Sequence, residues 1–319
     1  MSLNEKIFLS FLKNLTYFEN KPHIAVGVSG GPDSMALTYM LSKWIKLKKG
    51  KLFALVFDHG IRYNSKEESY QVRNMLQDLN IETFLIKPKK NKLIKKNMAD
   101  ARTNRFEGIT NFCNKNDILH LFLGHHYDDN LETFLIRKIN GSNLEGLGSM
   151  SDVSYFNKIQ ILRPLINVSK SSILNFNKKN NIRFINDPSN KDVNYTRVKV
   201  RNFLQNKDYN KLVKNDFLKL KKQIPNYKKM IWELLIKSLV EVKSNRIKIS
   251  FNKFIKYDDL IIERHILLLL RFFSNRKNQT KSSKINTFID SIKNPSFKIF
   301  NLNGVIIQKN SDFLIFSQK

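Results

Sequence analysis

Short apolar runs alternate with segments of helical periodicity through the first half of the chain, and this alternation restricts the fold more than any other feature. The apolar runs are His23–Val28, Leu52–Phe57, Glu82–Ile86 and Ile118–Leu123, and the helical segments are Ser34–Lys48, Lys66–Leu79, Met98–Asn114 and Asp128–Ile139. Strands that alternate with helices form βαβ units with right-handed crossovers. We therefore predict an α/β fold in which a Rossmann-like parallel sheet carries helices on both faces.

The pattern changes in the second half of the chain. The segments predicted there are a loop at Asn140–Ser149, a helix at Ser169–Asn180, a polar segment at Asp187–Arg201, a long helical pattern at Phe217–Val242 interrupted by Pro225, and alternating segments at Arg246–Phe251 and Phe297–Phe316. Alternating hydrophobicity is typical of strands with one buried face. We predict a first domain at residues 1–205 and a smaller α+β domain at residues 206–319, helical first and then rich in strands.

Charge sets this chain apart from an average globular protein. Its 319 residues include 56 Lys and Arg against 27 Asp and Glu, which gives a net charge of +29. Self-repulsion at that charge favours an anionic partner such as a nucleic acid. A membrane surface or an acidic protein is a second class of partner, and a genome biased toward Lys is the alternative that needs no partner.

The cysteine count and the N-terminal sequence bear on the cellular compartment. Cys113 is the only cysteine, so the chain can form no internal disulfide and no Cys-rich metal or iron–sulfur site. Its apolar helical context predicts a packed core residue. The N-terminal apolar stretch is short and follows Glu5, which predicts an amphipathic helix rather than a signal peptide. The longest apolar run, Ile266–Leu270, is too short to span a bilayer. We expect a cytoplasmic protein with no membrane partner.

A Gly-rich turn joins the first predicted strand to the first predicted helix. It reads Ser29-Gly30-Gly31-Pro32-Asp33-Ser34. The glycines permit close backbone approach, and the N–H groups at the start of the helix favour an anion. The serines add hydroxyl donors, and Asp33 supplies a carboxylate where a metal ion could bridge phosphates. The turn matches neither a Walker loop nor a dinucleotide fingerprint. We predict a pyrophosphate-binding loop; a tight turn capped by serines is the alternative.

A cluster of titratable residues follows the fourth predicted strand and shares the expected ligand edge with that loop. It reads Gly124-His125-His126-Tyr127-Asp128-Asp129-Asn130-Leu131-Glu132-Thr133. Asp129 and Glu132 are three residues apart and therefore lie on one helical face. Asp128 is expected to cap the helix. A capping pattern alone is the structural alternative, and the His-His-x-x-Asp spacing does not favour a zinc site.

Two weaker features accompany these motifs, and the first of them shares the expected edge. Asp58, His59 and Gly60 follow the second predicted strand, where an ordinary turn is the alternative. Arg102 and Arg105 share one face of a predicted helix and could contact a phosphate or a carboxylate. A solvated basic face is an equally good interpretation of the two arginines.

Taken together, these segments resemble the tRNA(Ile)-lysidine synthetase family, a member of the PP-loop (N-type) ATP pyrophosphatase superfamily. The stretches that carry the resemblance are Ser29–Ser34, Asp58–Gly60, Ala101–Phe106, Gly124–Thr133, Gly141–Met150, Arg163–Leu165 and Asp187–Asn190. The first of them identifies only the superfamily, whereas Gly124–Thr133 followed by Gly141–Met150 is much more specific. Near the end of the catalytic domain, Val198 and Lys199 replace the Asn and Arg that the family usually has there.

The resemblance implies a reaction, its cofactors and its partners. ATP would adenylate the C2 oxygen of cytidine 34 in the CAU anticodon of a tRNA(Ile) and release pyrophosphate. Free L-lysine would then displace AMP and leave lysidine. The cofactors implied are ATP and Mg²⁺, and the partners are tRNA(Ile) and lysine. The oligomeric state stays open, with a homodimer as one alternative.

The resemblance also assigns roles to individual residues. The catalytic residues it implies are Asp33, Asp129, Glu132, His125 and Arg105, and the nucleotide-binding residues are Ser29, Gly30, Gly31, Pro32, Asp33, Ser34, Asp58 and His59. Asp33 would hold Mg²⁺. Asp129 and Glu132 would hold lysine, and either carboxylate is a candidate base. His125 and Arg105 would contact the cytidine, its phosphate or the adenylate.

Two alternatives compete with this assignment. Another PP-loop chemistry, such as thiolation of a tRNA base, would use the same loop but would require pairs of cysteines. A basic nucleotide- or RNA-binding protein without catalysis would explain the charge. It would not explain why Asp33, Asp129 and Glu132 are all present.

Overall fold

The chain divides into two compact units, residues 1–220 and residues 221–319. The computed structural model describes residues 3–57, 65–87, 98–185, 193–273, 280 and 282–318. The division falls inside the long helix α9, so that helix contributes to both units. The domain boundary predicted between residues 205 and 206 lies just before α9 begins and stays a prediction.

The first unit is an α/β layer structure. Its elements are α1 (Glu5–Leu15), β1 (His23–Val28), α2 (Pro32–Lys48), β2 (Lys51–Phe57), α3 (Ser65–Gln77), β3 (Glu82–Ile86), α4 (Met98–Lys115), β4 (His120–Leu123), α5 (Tyr127–Ile139), α6 (Leu144–Leu147), β5 (Val153–Phe156), β6 (Ile159–Leu162), α7 (Lys170–Lys179), α8 (Thr196–Phe203) and the first part of α9 (Lys207–Ser238). The four alternating strand–helix pairs agree with the predicted segments to within a few residues.

The strand order of the first sheet is β3-β2-β1-β4-β6-β5. Neighbouring strands are parallel except at the edge, where β5 runs antiparallel to β6. Successive strands extend from β1 toward β2 and β3 on one side, and the chain then crosses to β4 on the other side. Such a reversal opens a crevice at the carboxyl ends of the strands, where doubly wound sheets bind their ligands.

Each face of this sheet buries its own hydrophobic core. Ile24 and Val26 of β1 pack into a core with residues of α1, α2, α3 and α7. Ala25 points the other way, into a core that includes Ile109 and Cys113 of α4. The alternation follows from the two-residue period of a strand. It confirms helices on both faces of the sheet and confirms Cys113 as a core residue.

The second unit is a smaller α+β structure. After α9 it contains β7 (Leu239–Lys243), β8 (Arg246–Ser250), α10 (Phe251–Phe254), α11 (Asp259–Phe273), α12 (Ser282–Lys293), β9 (Ile299–Leu302), β10 (Val305–Asn310) and β11 (Phe313–Gln318). Its strands form an antiparallel sheet in the order β7-β8-β11-β10-β9. Apolar residues of α11 and α12 pack with that sheet in one core that includes Ile247, Ile266, Phe288 and Phe316. Within the described residues, no helix is long and apolar enough to cross a bilayer.

The structure corrects several predicted segments. α9 is continuous through Pro225, where an interruption was expected; Pro225 is exposed and apolar residues are buried on both sides of it. The C-terminal end of that predicted helix forms β7 instead. The predicted Gly-rich loop contains the short helix α6, and the predicted polar segment ends in α8, which buries Val198 and Val200.

Candidate functional site

The Gly-rich turn lies at the carboxyl end of β1, where it begins α2 with Gly31 as the N-cap. Gly30 has a φ of +81°, and a Cβ at that position would lie 2.4 Å from Cγ2 of Val72, so a side chain is excluded. The hydroxyl of Ser34 accepts the Ser29 N–H at 3.2 Å and donates to the Gly31 carbonyl at 3.0 Å. The turn thus presents the positive end of the α2 dipole at the strand edge.

The backbone after β4 packs directly against this turn. A Cβ on Gly124 would lie 3.0 Å from the backbone nitrogen of Ser34 and 3.1 Å from the carbonyl carbon of Asp33. These distances are shorter than most Cβ contacts, so glycine suits that close approach. The two motifs expected to share a sheet edge therefore lie in contact.

Asp33 stands in the first turn of α2 and is paired with Lys170, the first residue of α7. The Lys170 ammonium lies 2.7 Å from each of the two carboxylate oxygens. His126 Nε2 is 3.6 Å from Oδ1 of Asp33 and 3.5 Å from Oδ2 of Asp129. One imidazole therefore lies between two of the carboxylates that the sequence assigned to the site.

The helix cap differs from the one predicted, because His126 rather than Asp128 caps α5. The His126 N–H donates to Oδ2 of Asp129 at 3.2 Å, and the Asp129 N–H approaches Nδ1 of His126 at 3.4 Å. Asp128 turns toward α7 instead and accepts the Lys170 N–H at 2.7 Å. Since Asp128 satisfies the N-terminus of another helix, the cap of its own helix is left to His126.

Neighbouring charges set the protonation of this cluster. Burial lowers the pKa of His126, but Asp128, Asp129 and Asp33 outweigh it and raise that pKa above its usual value. Burial raises the pKa values of Asp128 and Asp129, yet the nearby His126 contributes to lowering both below the usual range. A protonated ring cannot accept the Asp129 N–H, but that contact is long and three carboxylates lie within 3.6 Å of the ring. The surrounding carboxylates therefore favour the protonated form of His126 relative to a free imidazole.

A cavity of about 350 Å³ opens in front of the turn and the end of β4. Among its lining residues are the predicted site residues Ser29, Asp33, Ser34, Arg105, His125 and Asp129, together with the apolar Val56, Phe106 and Leu123. A few converging polar groups on apolar walls, in a volume of this size, are typical of a small-ligand pocket. The structure thus gathers phosphate-binding, basic and acidic candidates in one space.

Glu132 lies one helical turn beyond Asp129 and does not line this cavity. Its side chain is 3% exposed and accepts Nε–H of Arg201 at 2.7 Å, while Nε of Arg197 is 3.9 Å away. Arg197 also donates to the Thr133 hydroxyl at 3.1 Å. The hydrogen bond with Glu132 raises the pKa of Arg201. Glu132 therefore ties α5 to α8 and holds two arginines beside the site.

The segment Gly141–Met150 is fastened to α5 by side chains of that helix. The Asn130 side chain accepts the Met150 N–H at 2.8 Å and donates to the Met150 carbonyl at 3.2 Å. Arg137 donates to the Gly146 carbonyl at 2.6 Å. These contacts explain why the motif after α5 accompanies the His–Asp cluster in the sequence.

Some predicted residues lie outside the described part of the chain. Asp58, His59 and the segment Asp187–Asn190 are among them. Arg102 belongs to α4, but its side chain is also outside the described set. Arg105, one turn further along the same helix, lines the cavity.

The donors near Asp33 fit a metal ion that is shared with phosphate. Within the described residues, no group of three or more His, Cys, Asp and Glu side chains is placed to hold a metal by itself. Mg²⁺ commonly binds one or two carboxylates together with substrate phosphates. Asp33 lines the cavity beside the Gly-rich turn. That arrangement suits an ion that arrives with a nucleotide.

A known protein family and its members resemble this chain in sequence. The family model described as the PP-loop domain matches residues 3–208. A tRNA(Ile)-lysidine synthase of Rickettsia bellii (strain OSU 85-389) is 30% identical over 299 residues, which are 92% of this chain and 68% of that protein. This chain belongs to the tRNA(Ile)-lysidine synthase family of PP-loop proteins. This membership confirms the resemblance that was inferred from Gly124–Thr133 and the other motifs.

Other relatives match a smaller part of this chain. A tRNA(Ile)-lysidine synthase of Orientia tsutsugamushi (strain Boryong) is 36% identical over 202 residues, 62% of this chain and 46% of that protein. The chain thus spans about half the length of the first curated relatives it matches. A solved U34-tRNA thiolase from Methanococcus maripaludis superposes with a TM-score of 0.56 at 17% identity, over 68% of this chain and 78% of that chain. At that identity the likeness concerns the fold.

Sequence reasoning missed Lys170, Arg197 and Arg201. The sequence could have indicated a role for Lys170. A cation in the first turn of a helix is disfavoured by the helix dipole, so its presence there suggests an acidic partner. Arg197 and Arg201 fall four residues apart in a segment that was predicted as polar and compared with a family motif, but neither arginine was assigned to the site. Their spacing places both on one helical face, and the acidic residue they face, Glu132, was itself assigned to substrate.

Proposed function

We propose that this chain joins free L-lysine to C2 of cytidine 34 in the CAU anticodon of tRNA(Ile), using ATP and releasing AMP and pyrophosphate. The observation that carries the proposal is the cavity of about 350 Å³, which brings the phosphate turn, Arg105, His125 and Asp129 together. Membership of the family supports ATP-dependent tRNA modification as the wider class. Lysine, the adenylated cytidine and the products are the finer part of the proposal.

In the first step, the C2 oxygen of the cytidine attacks the α-phosphorus of ATP. The bond to the pyrophosphate leaving group breaks, and its electrons depart with the pyrophosphate. Gly30 and Gly31 bring backbone close to that group, and the α2 N-terminus with the hydroxyl of Ser29 stabilises its negative charge. Ser34 shapes the turn, because its hydroxyl donates to the Gly31 carbonyl. Mg²⁺ held by Asp33 would supply further charge neutralisation at the phosphates.

In the second step, the neutral ε-amine of lysine attacks C2 and AMP departs with the former C2 oxygen. Free lysine has a pKa of about 10.4, so the site must bind an ammonium and then accept its proton. Asp129 stays ionised because His126, His125 and Arg197 outweigh its burial and lower its pKa. We assign Asp129 to ammonium binding. His125 and Arg105, on the cavity wall, would contact the cytidine or the adenylate.

Glu132 takes an indirect role in this proposal. Its carboxylate is engaged by Arg201 and lies near Arg197, so it positions α8 beside the cavity. Lysine contact by Glu132, which the family resemblance implied, would require the Arg201 pair to open. The exposed lysines of the second unit, including Lys228, Lys229 and Lys237, would contact tRNA phosphates.

Base thiolation is the competing PP-loop chemistry. The only thiol of this chain, Cys113, is buried in the core around α4, and burial raises its pKa to about 12. A thiol with that pKa holds almost no nucleophilic thiolate at neutral pH. The residues of this chain therefore favour an amine nucleophile over a sulfur carrier.

Pyrophosphate release tests the proposal against thiolation and against a binding protein without catalysis. The chain is incubated with ATP, Mg²⁺, lysine and unmodified tRNA(Ile) carrying the CAU anticodon, and each component is omitted in turn. We expect release to require the tRNA, ATP and Mg²⁺, and lysine incorporation to require all four components. Release that continues without tRNA, or no release at all, would show that the assignment is wrong.

A further inference from the structure

Lys170 occupies an unusual place for a basic residue. It is the first residue of α7, where the helix dipole disfavours a positive charge. Its ammonium nonetheless lies 2.7 Å from both oxygens of Asp33. The pair stands beside the phosphate turn, and Asp33 lines the cavity there. No step of the proposed reaction yet uses this cation.

The backbone around Lys170 is held from several directions. Its N–H donates to Asp128 at 2.7 Å, and the buried Asn177, two turns further along α7, donates to the Pro32 carbonyl at 2.9 Å. Tyr39 of α2 and Phe176 of α7 pack edge to face at 6.1 Å. α7 is thus fixed to α2 in its second half and to α5 at its first residue. The four-carbon stem of Lys170 remains the part that can change position.

The charges around Asp33 allow Lys170 to leave this carboxylate at a small cost in free energy. Asp33 and Lys170 are both partly exposed, and ion pairs of that kind contribute little to stability. Other charged groups near Asp33 include His126, whose Nε2 is 3.6 Å away, Asp129, which approaches the same nitrogen at 3.5 Å, and Arg201, whose charge interacts with that of Asp33. A divalent cation at Asp33 would repel the Lys170 ammonium. A phosphate group at the turn would attract it.

We infer that Lys170 is a counter-ion that changes partner during the reaction cycle. With the phosphate turn empty, its ammonium neutralises Asp33. When the pyrophosphate end of ATP enters with its divalent cation, the cation takes over Asp33 and Lys170 transfers to a phosphate oxygen. This role rests on the proposed function, since it requires a pyrophosphate group at the Ser29–Ser34 turn.

Two affinities measured on Lys170→Met test this exchange. The variant removes the charge and keeps a long side chain; Lys178→Met, at the exposed C-terminal end of α7, is the matched control. Mn²⁺ binding without phosphate is followed by electron paramagnetic resonance. Binding of inorganic pyrophosphate with Mg²⁺ is followed by calorimetry. A charged hydrogen bond contributes enough that its loss weakens binding by about tenfold or more.

We expect Lys170→Met to bind Mn²⁺ more tightly, because Asp33 has lost its competing cation, and to bind pyrophosphate about tenfold more weakly. Lys178→Met should match the native chain in both. Tighter Mn²⁺ binding with unchanged pyrophosphate affinity would overturn the inference, and so would unchanged Mn²⁺ affinity. A native chain that binds no pyrophosphate would contradict the proposed function instead. Circular dichroism monitors folding, and Lys170→Gln takes the place of the methionine variant if that variant does not fold.

Discussion

His126 is the residue on which the charges of the site converge, because its imidazole lies within 3.6 Å of carboxylate oxygens of Asp33, Asp128 and Asp129. The sequence predicted that these residues lie at one strand edge, but it did not show which of them contact one another. Asp128 looked like a cap because Asp is a frequent capping residue. Its actual partner, the N–H of Lys170, is 42 positions away. Long-range pairs of that kind leave no local periodicity to detect.

The pH dependence of stability tests the protonation of His126. A raised pKa means that His126 adds stability that is fully present below its ordinary pKa of about 6.5 and is lost as the pH rises through the higher pKa of the folded protein. Urea unfolding of the native chain and His126→Asn should therefore show a stability difference that shrinks as the pH rises across this interval. His23→Asn, at an exposed position of β1, serves as the control. A difference independent of pH would contradict the account.

Substitution of Asp129 tests the proposal that this carboxylate binds the lysine ammonium. Asp129→Asn removes the charge with little change in shape, and a charge-assisted hydrogen bond is worth about 1.5–3 kcal/mol. We expect the KM for lysine to rise roughly 10- to 100-fold, with ATP binding far less affected. Steady-state lysine incorporation measures both. Asp117→Asn, an exposed turn residue with a φ of +53° that asparagine accepts, should behave as the native chain does. An unchanged KM for lysine would remove Asp129 from the site.

At the scale of elements, the site depends on how helices are fixed to the sheet edge. The alternation of β1–β4 with α2–α5 was predictable because buried parallel strands are continuous apolar runs. The strands β5 and β6 have four residues each, and runs of that length resemble any apolar patch. α8 was missed because its polar face, Arg197 and Arg201, is directed to Glu132 rather than to water alone. The structure of β5, β6 and α8 depends on contacts with residues that are distant in the sequence, and the sequence alone does not show those contacts.

The contact between β4 and α2 predicts a strong steric effect of one methyl group. In Gly124→Ala, the new Cβ would meet backbone atoms of Asp33 and Ser34 at 3.0–3.1 Å, and backbone cannot move aside cheaply. We expect the free energy of unfolding of the first unit to fall by about 1–3 kcal/mol. Gly31→Ala, whose Cβ would have its nearest neighbour at 3.6 Å, is the sterically permitted control.

Fluorescence can assign that loss to the correct unit. The chain has two tryptophans, the buried Trp44 in α2 and the exposed Trp232 in the second unit. In a Trp232→Phe background, urea unfolding followed by Trp44 reports on the first unit. Equal stability of the two alanine variants would show that the close approach at Gly124 is not required.

For the whole molecule, the sequence predicted the two fold types, and the boundary between residues 205 and 206 stays a prediction. The first sheet follows from the βαβ alternation, and the second from alternating segments such as Arg246–Ser250. The compact units divide inside α9, a helix of 32 residues that has no composition change at the point of division. Apolar residues recur along its whole length, from Phe217 in the first unit to Leu235 in the second, so periodicity alone cannot mark where one unit ends.

The net charge of +29 predicts how tRNA binding responds to salt. Each phosphate contact releases bound counter-ions, so 6–10 contacts would lower the tRNA affinity by roughly 10³–10⁵-fold between about 50 and 200 mM salt. Filter binding of tRNA(Ile) and of a tRNA with another anticodon should give similarly steep slopes, since phosphate contacts do not read sequence. A nearly flat salt dependence would assign the charge to surface composition rather than to RNA binding.

The chemical identity of the product tests the central claim most directly. The chain is incubated with ATP, Mg²⁺, uniformly carbon-13-labelled lysine and unmodified tRNA(Ile), and the tRNA is digested to nucleosides for mass spectrometry. We predict one cytidine per tRNA whose mass has increased by labelled lysine minus water, located at position 34, with one AMP formed for each. An unmodified cytidine 34 while AMP accumulates, or a nucleoside that has gained sulfur, would contradict the account.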